Sequence, residues 1–459
     1  MSAKLWGGRF RKDSMDSLVM KFTSSLDVDK ILLKYDCLST KVHVEMLEKT
    51  GYVTPKERKE ITRALDLLIK DHDKILAGVK GYEDIHSFVQ DFVESKAPQA
   101  AKKMHTGRSR NEQVVNDVRL YCMEEITAIR RLIAELEMSL VELAEENIKV
   151  IIPGYTHLNH AQPILFSHLV MSYVEMLERD SSRLLDARKR VDMSVMGSGA
   201  IAGSALRLDR EFTARKSGFS GISANSIDSV SDRDFIVEIV SAISMLGVHL
   251  SRISEDFILY STGEFGFIDI GEEYCTGSSL MPQKKNADVL ELARGRSSFF
   301  IGALASLLTL LKGLPHAYNR DLQEDKRHLF ESVSAVKDEL LVLSRLVGTI
   351  TVEEAGIAAQ MDDEFLLSTD VAEYLVEKGM PFREAHAVVG AMVRYCIDNG
   401  KGFTGLDVRE LKGFSEVIGG DISRILSHEY SVKNKKTPGG TNPRHVGKEI
   451  KRWKRKLEI

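Results

Sequence analysis

Apolar side chains recur at helical spacing over several long stretches of this sequence. In the first, eight apolar positions follow a period of 3.6 residues: Ile126, Ile129, Leu132, Ile133, Leu136, Leu140, Leu143 and Ala144. The same pattern predicts a second long helix that starts at Pro163, and others over 234–260, 287–311 and 329–347. No proline lies between Pro163 and Pro282, which favours uninterrupted helices because proline breaks a helix interior.

The helix predicted at 234–260 is apolar on more than one face. Phe235, Ile236 and Val237 are consecutive, so they cannot all point to one side. A helix of this kind must be covered all round, and one chain offers few partners of comparable length. We therefore predict a helical bundle that is shared among several copies of the chain. A clean monomer in light scattering would contradict this prediction.

Shorter helical patterns flank the long ones and suggest three domains. Residues 1–111 form a mixed helical unit, in which Thr54 and Pro55 have the composition of a helix start. Residues 112–361 hold the long helices. Residues 362–459 form small helices and end in a basic amphipathic segment at 444–456. Strand patterns are scarce, and the apolar run 150–152 is not expected to build a sheet, so we predict an all-α fold.

Composition narrows the class of protein. The formal net charge of −4 over 459 residues argues against a nucleic-acid-binding surface. The four cysteines form no CxxC pair, which favours free thiols in a reducing compartment over disulfides or a zinc site. The N-terminus lacks the apolar core of a signal peptide, and the uncharged run 297–311 is too short to span a membrane. We expect a cytoplasmic protein without a membrane or metal partner.

Five polar segments interrupt this helical pattern: 104–113, 154–163, 229–234, 277–286 and 317–326. In 277–286, glycine, proline and two serines favour a loop. The same loop carries two lysines and an asparagine, which is more hydrogen-bonding chemistry than a connector needs. The alternative is a solvated turn.

The segment 104–113 places Arg108, Ser109 and Asn111 at the predicted start of a long helix. Helix N-termini present free N–H groups and arginine pairs with carboxylates, so this pattern indicates an anion site. The alternative is an ordinary helix cap with surface charges.

The remaining segments permit both functional and structural interpretations. His157 or His160 could act as a general acid or base, although each could equally be a structural hydrogen-bonding residue. HxxH has no evident third ligand for a metal. Arg233 is a possible anion contact or part of a capped helix. The mixed charges of 317–326 could recognise a zwitterionic ligand or form a solvated loop.

Taken together, these segments resemble the argininosuccinate lyase family of the fumarase/aspartase superfamily, nearly from end to end. The loop GSSLMPQKKN at 277–286 is similar to the superfamily signature. More specific likenesses are LWGGRF at 5–10, HTGRSRN at 105–111, VSDRD at 230–234 and AYNRDLQEDK at 317–326. Ala287 stands where the family usually has proline, and Cys275 where a serine-like residue is more usual.

The resemblance implies a three-domain all-α homotetramer whose active sites each draw on three chains. It implies the reversible anti-elimination of argininosuccinate to arginine and fumarate, in arginine biosynthesis, without a cofactor. Ser278 would be the base, with Ser279 as the alternative, and Lys284 would help to stabilise the charge that develops. His157, oriented by Glu291, would act on the leaving nitrogen.

The residues that the resemblance assigns to substrate binding are Ser25, Arg108, Ser109, Asn111, Thr156, Arg233, Asn286, Tyr318, Gln323 and Lys326. Two alternatives remain at this point. One is an inert crystallin-like member of the family, which the presence of Ser278, His157, Lys284 and Asn286 disfavours. The other is a sister lyase that acts on a different succinyl-amine, such as adenylosuccinate.

Overall fold

The computed structural model describes residues 16–457, so the LWGGRF segment at 5–10 lies outside the described residues. The fold is predominantly helical, which confirms the all-α prediction. Five long helices dominate: α8 (Arg110–Glu146), α9 (Phe166–Val191), α12 (Asp234–Tyr260), α13 (Asp288–Leu311) and α14 (Asp325–Val347).

Shorter helices make up most of the remainder. Those before or between the long helices are α1 (Ser17–Thr23), α2 (Leu26–Asp29), α3 (Leu33–Lys49), α4 (Pro55–Lys70), α5 (His72–Leu76), α6 (Ile85–Lys96), α7 (Pro98–Ala101), α10 (Arg210–Ser217) and α11 (Ser226–Ser231). Those after them are α15 (Glu354–Met361), α16 (Ser368–Glu377), α17 (Phe382–Asp398), α18 (Val408–Phe414), α19 (His428–Asn434) and α20 (Pro443–Leu457).

The chain divides into two compact units. Of the described residues, unit 1 comprises 16–130, 181–244 and 298–336, and unit 2 comprises 131–180, 245–297 and 337–457. In unit 1, α4 begins as predicted: Thr54 Oγ1 accepts the Glu57 N–H, Glu57 caps the Thr54 N–H, and Pro55 is the first helical residue. The domain boundaries at 111 and 361 stay a prediction.

Strand structure is limited, in the described residues, to three two-stranded sheets. The strands are β1 (Ile151–Thr156), β2 (Asn159–Leu165), β3 (Met193–Ser194), β4 (Gly221–Ile222), β5 (Ile268–Asp269) and β6 (Thr351–Val352). Two sequence-based predictions are therefore wrong: 150–152 does lead into a hairpin, and Pro163 does not start a helix. Pro163 lies in β2 opposite Pro153, where neither nitrogen has a hydrogen to donate, and α9 begins three residues later.

The long helices are apolar beyond the stripe that they bury. In α13 only one stripe is buried, made of Leu290, Ala293, Phe300, Ala303 and Leu307. Four large apolar residues of the same helix are 39–64% exposed: Leu292, Phe299, Ile301 and Leu308. The most apolar window of α12 would be long enough to cross a membrane, but 61% of it is buried within the protein, as in a core helix.

The basic C-terminal helix is amphipathic, as predicted. Val446, Ile450 and Trp453 of α20 are buried at helical spacing, while Lys454 pairs with Glu145 at 2.7 Å on the outside. This helix therefore packs into unit 2 by its apolar face.

Candidate active site

A cleft of about 590 Å³ lies within unit 1 and collects most of the residues that were predicted to bind substrate. Six of those ten residues line it: Ser25, Arg108, Asn111, Tyr318, Gln323 and Lys326. They come from three separate parts of the sequence. The fold therefore joins segments that polarity and resemblance had only suggested were related.

The cleft wall carries charges of both signs. Arg320 Nη1 lies 2.9 Å from Glu83 Oε1, so this pair neutralises itself. Arg108 makes no ion pair with a described residue; its Nη1 donates to Thr40 Oγ1 at 2.8 Å. Its Nη2 lies 2.9 Å from His105 Nδ1, so the Arg108 guanidinium is held by neutral partners and keeps its charge for an anion that enters the cleft.

The start of α8 is capped by its own residues. Ser109 Oγ accepts the Asn111 N–H at 3.2 Å, and Glu112 Oε1 accepts the Ser109 N–H at 2.9 Å. Glu112 thus reaches back to the Ser109 amide as in a capping box, while Ser109 caps the second helical residue and not the third. The side chain of Ser109 thus serves the helix start and is not among the residues that line the cleft, and its predicted role in substrate binding stays a prediction. Arg108 and Asn111 do line the cleft.

Arg233 lies behind the cleft. It is 3% exposed, and its Nε donates to Asp325 Oδ2 while its Nη1 donates to the Asp232 carbonyl at 2.8 Å. Lys326 Nζ reaches the other oxygen of Asp325 at 2.8 Å. Lys326 lines the cleft and Arg233 does not, so Asp325 joins Arg233 to the cleft wall, and the predicted substrate contact of Arg233 stays a prediction.

The cleft also contains acidic residues that the sequence pattern did not indicate. Asp29 is 2% exposed; it accepts from Ser25 Oγ at 2.5 Å through Oδ2 and from the Ile85 N–H at 3.0 Å through Oδ1. Burial raises the pKa of this carboxyl. The spacing of Ser25 and Asp29, four residues apart at a helix start, was the available signal. Asp84 also lines the cleft, where it caps α6 through the Ser87 N–H at 2.6 Å.

In unit 2, Thr156 and His157 lie at the exposed tip of the β1–β2 hairpin. His157 and Leu158 form the two-residue turn with φ of 56° and 59°. Positive φ at both positions is what a type I′ hairpin turn requires, and it is costly for residues with a β-carbon. The side-chain amide of Asn159 donates through Nδ2 to the His157 carbonyl at 3.0 Å and helps to hold this conformation.

The same hairpin is anchored one pair below its tip by His160. Its Nδ1 lies 2.9 Å from Asp363 Oδ2, and its Nε2 lies 3.2 Å from the Tyr155 hydroxyl. These three residues line a second cleft of about 510 Å³ within unit 2. Of the two candidate histidines, His160 is thus the structural one and His157 is the one presented to solvent.

The loop 277–286 is closed at its base by two backbone hydrogen bonds between Thr276 and Asn286, of 3.0 and 2.8 Å. Ser278 is half-buried, and its Oγ accepts the N–H groups of Leu280 at 3.2 Å and Met281 at 3.0 Å. Two such donors stabilise an alkoxide more than a hydroxyl. Which of Ser278 and Ser279 is the base stays a prediction.

Lys284 and Glu291 are exposed, Lys284 in this loop and Glu291 in the first turn of α13. No described residue forms an ion pair with Lys284, whereas its neighbour Lys285 pairs with Asp269 at 2.8 Å. Among the described residues, no hydrogen bond joins His157 to Glu291. The predicted orienting role of Glu291 therefore stays a prediction.

Comparison with known families agrees with the resemblance that the polar segments suggested. A family model described as Lyase matches residues 8–302, and one described as Argininosuccinate lyase C-terminal matches residues 365–433. The argininosuccinate lyase of Moorella thermoacetica is 46% identical over 451 residues, which cover 98% of this chain and 97% of the relative. That of Desulforudis audaxviator is 43% identical over 460 residues and covers 99% of each.

Solved structures show the same fold at lower identity. EDDS lyase in complex with formate aligns with a TM-score of 0.84 and 24% identity, over 94% of this chain and 87% of the other. Recombinant class II fumarase from Schistosoma mansoni aligns with a TM-score of 0.74 and 15% identity, over 92% and 94%. At these identities the likeness concerns the fold alone.

Proposed function

The chain belongs to the argininosuccinate lyase family, and we propose that it catalyses the reversible anti-elimination of argininosuccinate to L-arginine and fumarate, a step of arginine biosynthesis. The observation that carries the proposal is the unit 1 cleft. Its lining holds cationic side chains, among them Arg108 and Lys326, and the carboxyl groups of Asp29, Glu83 and Asp84. A ligand with several carboxylates and a guanidinium matches that mixture of charges.

The reaction needs a base for a weakly acidic carbon next to a carboxylate. Ser278, as the alkoxide, takes the proton from this carbon, and the electron pair of the C–H bond moves into the adjacent carboxylate. The pair then returns to form the double bond of fumarate as the C–N bond breaks. His157 gives a proton to the departing nitrogen, which leaves as the guanidinium of arginine. Lys284 and the loop amides stabilise the doubly charged aci-carboxylate that precedes C–N cleavage. This sequence needs no cofactor.

We further propose a homotetramer in which each active site combines segments of three chains. Thr156, His157 and Lys284 are exposed, and Lys284 has no ion pair with a described residue. The apolar residues that α13 leaves exposed support helix-to-helix contact between copies. The four cysteines are free thiols, three of them buried, which supports a cytoplasmic location.

The function is tested by fumarate release, followed by absorbance, with argininosuccinate and adenylosuccinate in parallel. We expect turnover of argininosuccinate only. Activity with adenylosuccinate alone would favour the sister lyase, and activity with neither would favour an inert crystallin-like protein.

The base is tested by a matched pair of variants in the same loop. Ser278→Ala should lose at least about 100-fold in kcat, while Ser279→Ala should stay within about threefold of the wild type, since only Ser278 Oγ accepts the two loop amides. The reverse order would move the base to Ser279.

The shared site is tested by mixing. Ser278→Ala and Arg108→Ala, each inactive alone, should regain activity when the two are refolded together, because some sites would then draw both intact segments from different chains. Light scattering should give four chains per particle; a monomer, or no recovery on mixing, would rule out sites shared between chains.

A further inference from the structure

Three titratable side chains form a buried cluster that reaches the unit 1 cleft through His86. Asp36 on α3, His86 on α6 and Asp117 on α8 are each at most 1% exposed. His86 Nδ1 lies 3.1 Å from Asp36 Oδ2 and 3.6 Å from Asp117 Oδ2. Two carboxylates this close, away from water, cannot both be ionised at little cost.

The two carboxylates have different surroundings. Asp36 Oδ1 accepts from Gln113 Nε2 at 2.6 Å and from Thr40 Oγ1 at 3.0 Å. Neither oxygen of Asp117 accepts a hydrogen bond of good geometry, although Ser39 lies close enough to favour its charged form weakly. The negative charge is therefore better supported on Asp36 than on Asp117.

Asp36 is also the member that is connected to the ligand-binding wall. Arg108 Nη1 donates to Thr40 Oγ1 at 2.8 Å, and Thr40 in turn donates to Asp36. Gln113, which donates directly to Asp36, lines the cleft as Arg108 does. An ionised Asp36 would thus fix two side chains of the wall.

We propose that Asp36, charged and paired with His86 beside a neutral Asp117, is a positioning residue for this cleft, an inference that rests on the proposed function. Asp117 holds a proton and stays neutral, while Asp36 and His86 form a charged pair. The charge on Asp36 keeps Arg108 and Gln113 in the orientation that binds substrate.

The electrostatics of the site support this assignment. Burial, and then the negative charge of Asp36, raise the pKa of Asp117. Burial alone would raise the pKa of Asp36 and lower that of His86, but their attraction outweighs it and shifts both pKa values the opposite way. The other titratable or charged groups that face the cluster are Asp29, Cys37, Asp84, His105, Arg108 and Arg110.

The test makes the same chemical change at both carboxylates. Asp117→Asn replaces a neutral acid by a neutral amide, so the KM for argininosuccinate should stay within about twofold of the wild type. Asp36→Asn removes the charge that holds Gln113 and Arg108, so KM should rise about tenfold or more with a smaller change in kcat; tenfold corresponds to about 1.4 kcal/mol. Equal KM values, or a larger rise for Asp117→Asn, would overturn the assignment.

A matched control separates positioning from loss of a buried pair. Asp180 is likewise buried and pairs with His249 at 2.6 Å within unit 2. Asp180→Asn should lower the thermal midpoint without changing KM. Should Asp36→Asn fail to fold, Asp117→Asn alone decides, since a tenfold rise in its KM contradicts a neutral Asp117.

Two measurements do not depend on activity. The infrared difference spectrum of wild type minus Asp117→Asn at neutral pH should contain the carbonyl band of a protonated carboxylic acid, and its absence would overturn the proposal. Elemental analysis should find no stoichiometric metal, since a bound ion would make the same three side chains ligands. If the wild type released no fumarate, the proposed function would fail, while these two measurements would still decide the protonation state.

Discussion

Asp325 lies between two buried cations, and replacing it by asparagine should destabilise the protein strongly. Its oxygens accept from Lys326 Nζ at 2.8 Å and from Arg233 Nε, and the three side chains are 1%, 5% and 2% exposed. Without the carboxylate, two positive charges remain close together and out of water. The carboxylate also aims Lys326, which lines the cleft.

The expected magnitude follows from this burial. Removing one partner of a buried ion pair costs about 3–5 kcal/mol. Asparagine keeps one acceptor oxygen, so we expect the lower end, about 3 kcal/mol. Burial alone would raise the pKa of Asp325, but Lys326 and Arg233 outweigh it and lower the pKa overall. The stabilisation is thus present above the unfolded pKa and is lost as the pH falls through the folded pKa, so wild type and variant should converge only in strong acid.

The assay is guanidinium unfolding at fixed protein concentration, with the KM for argininosuccinate measured alongside. Asp325→Asn should lower the midpoint clearly and raise KM. Adding Arg233→Met should recover at least half of the lost stability, because one stranded cation is removed.

The matched control is an exposed carboxylate that also faces two cations. Asp186 lies 3.1 Å from Lys189 and 2.7 Å from Arg190 on the surface of α9. Asp186→Asn should leave the midpoint unchanged within error, since exposed ion pairs contribute little. Equal shifts for Asp186→Asn and Asp325→Asn would refute the argument from burial.

Three further predictions follow. Burial raises the pKa of Glu339 to about 8, so the folded protein holds a neutral Glu339 whose stabilising contribution is lost as the pH rises towards that value. The thermal midpoint of Glu339→Gln relative to wild type should therefore rise up to about pH 8 and then level off, and a constant difference would contradict this. His160→Ala frees the hairpin from Asp363 and should lower kcat by on the order of tenfold, with most activity kept by His160→Asn, whose amide can still donate to Asp363; equal rates in both variants would exclude this anchoring role. Gly199 has φ of +64°, and an added β-carbon would lie 2.7 Å from a backbone oxygen across its loop, so Gly199→Ala should cost about 1–3 kcal/mol, and an unchanged thermal midpoint would refute it.

The sequence predicted the long helices well, because their apolar pattern repeats over many consecutive residues. The pattern over 234–260 recurs as α12 with the same ends, because many turns of helix share one apolar period. The β1–β2 hairpin was missed because its turn is His157-Leu158, without the glycine or asparagine that usually marks positive φ. A catalytic candidate thus occupies the position where a turn signal was expected.

The site was predicted as a set of segments and not as an arrangement. Arg108 and Lys326 were recognised from their polar neighbourhoods and the resemblance, and both line the cleft. Asp36, His86 and Asp117 sit on three helices that are remote in sequence, and each is an ordinary polar residue in its own helix. Only tertiary packing brings them within 4.8 Å of one another, so no pattern along the chain could reveal the cluster.

The closure of the 277–286 loop bears on how such enzymes can be re-engineered. Because Thr276 and Asn286 pair through their backbones, the two ends of the loop stay a fixed distance apart whatever lies between them. α13 begins at Asp288, two residues after this closed base. We therefore expect that loops from other lyases could be grafted between Thr276 and Asn286 while the helices keep their fold.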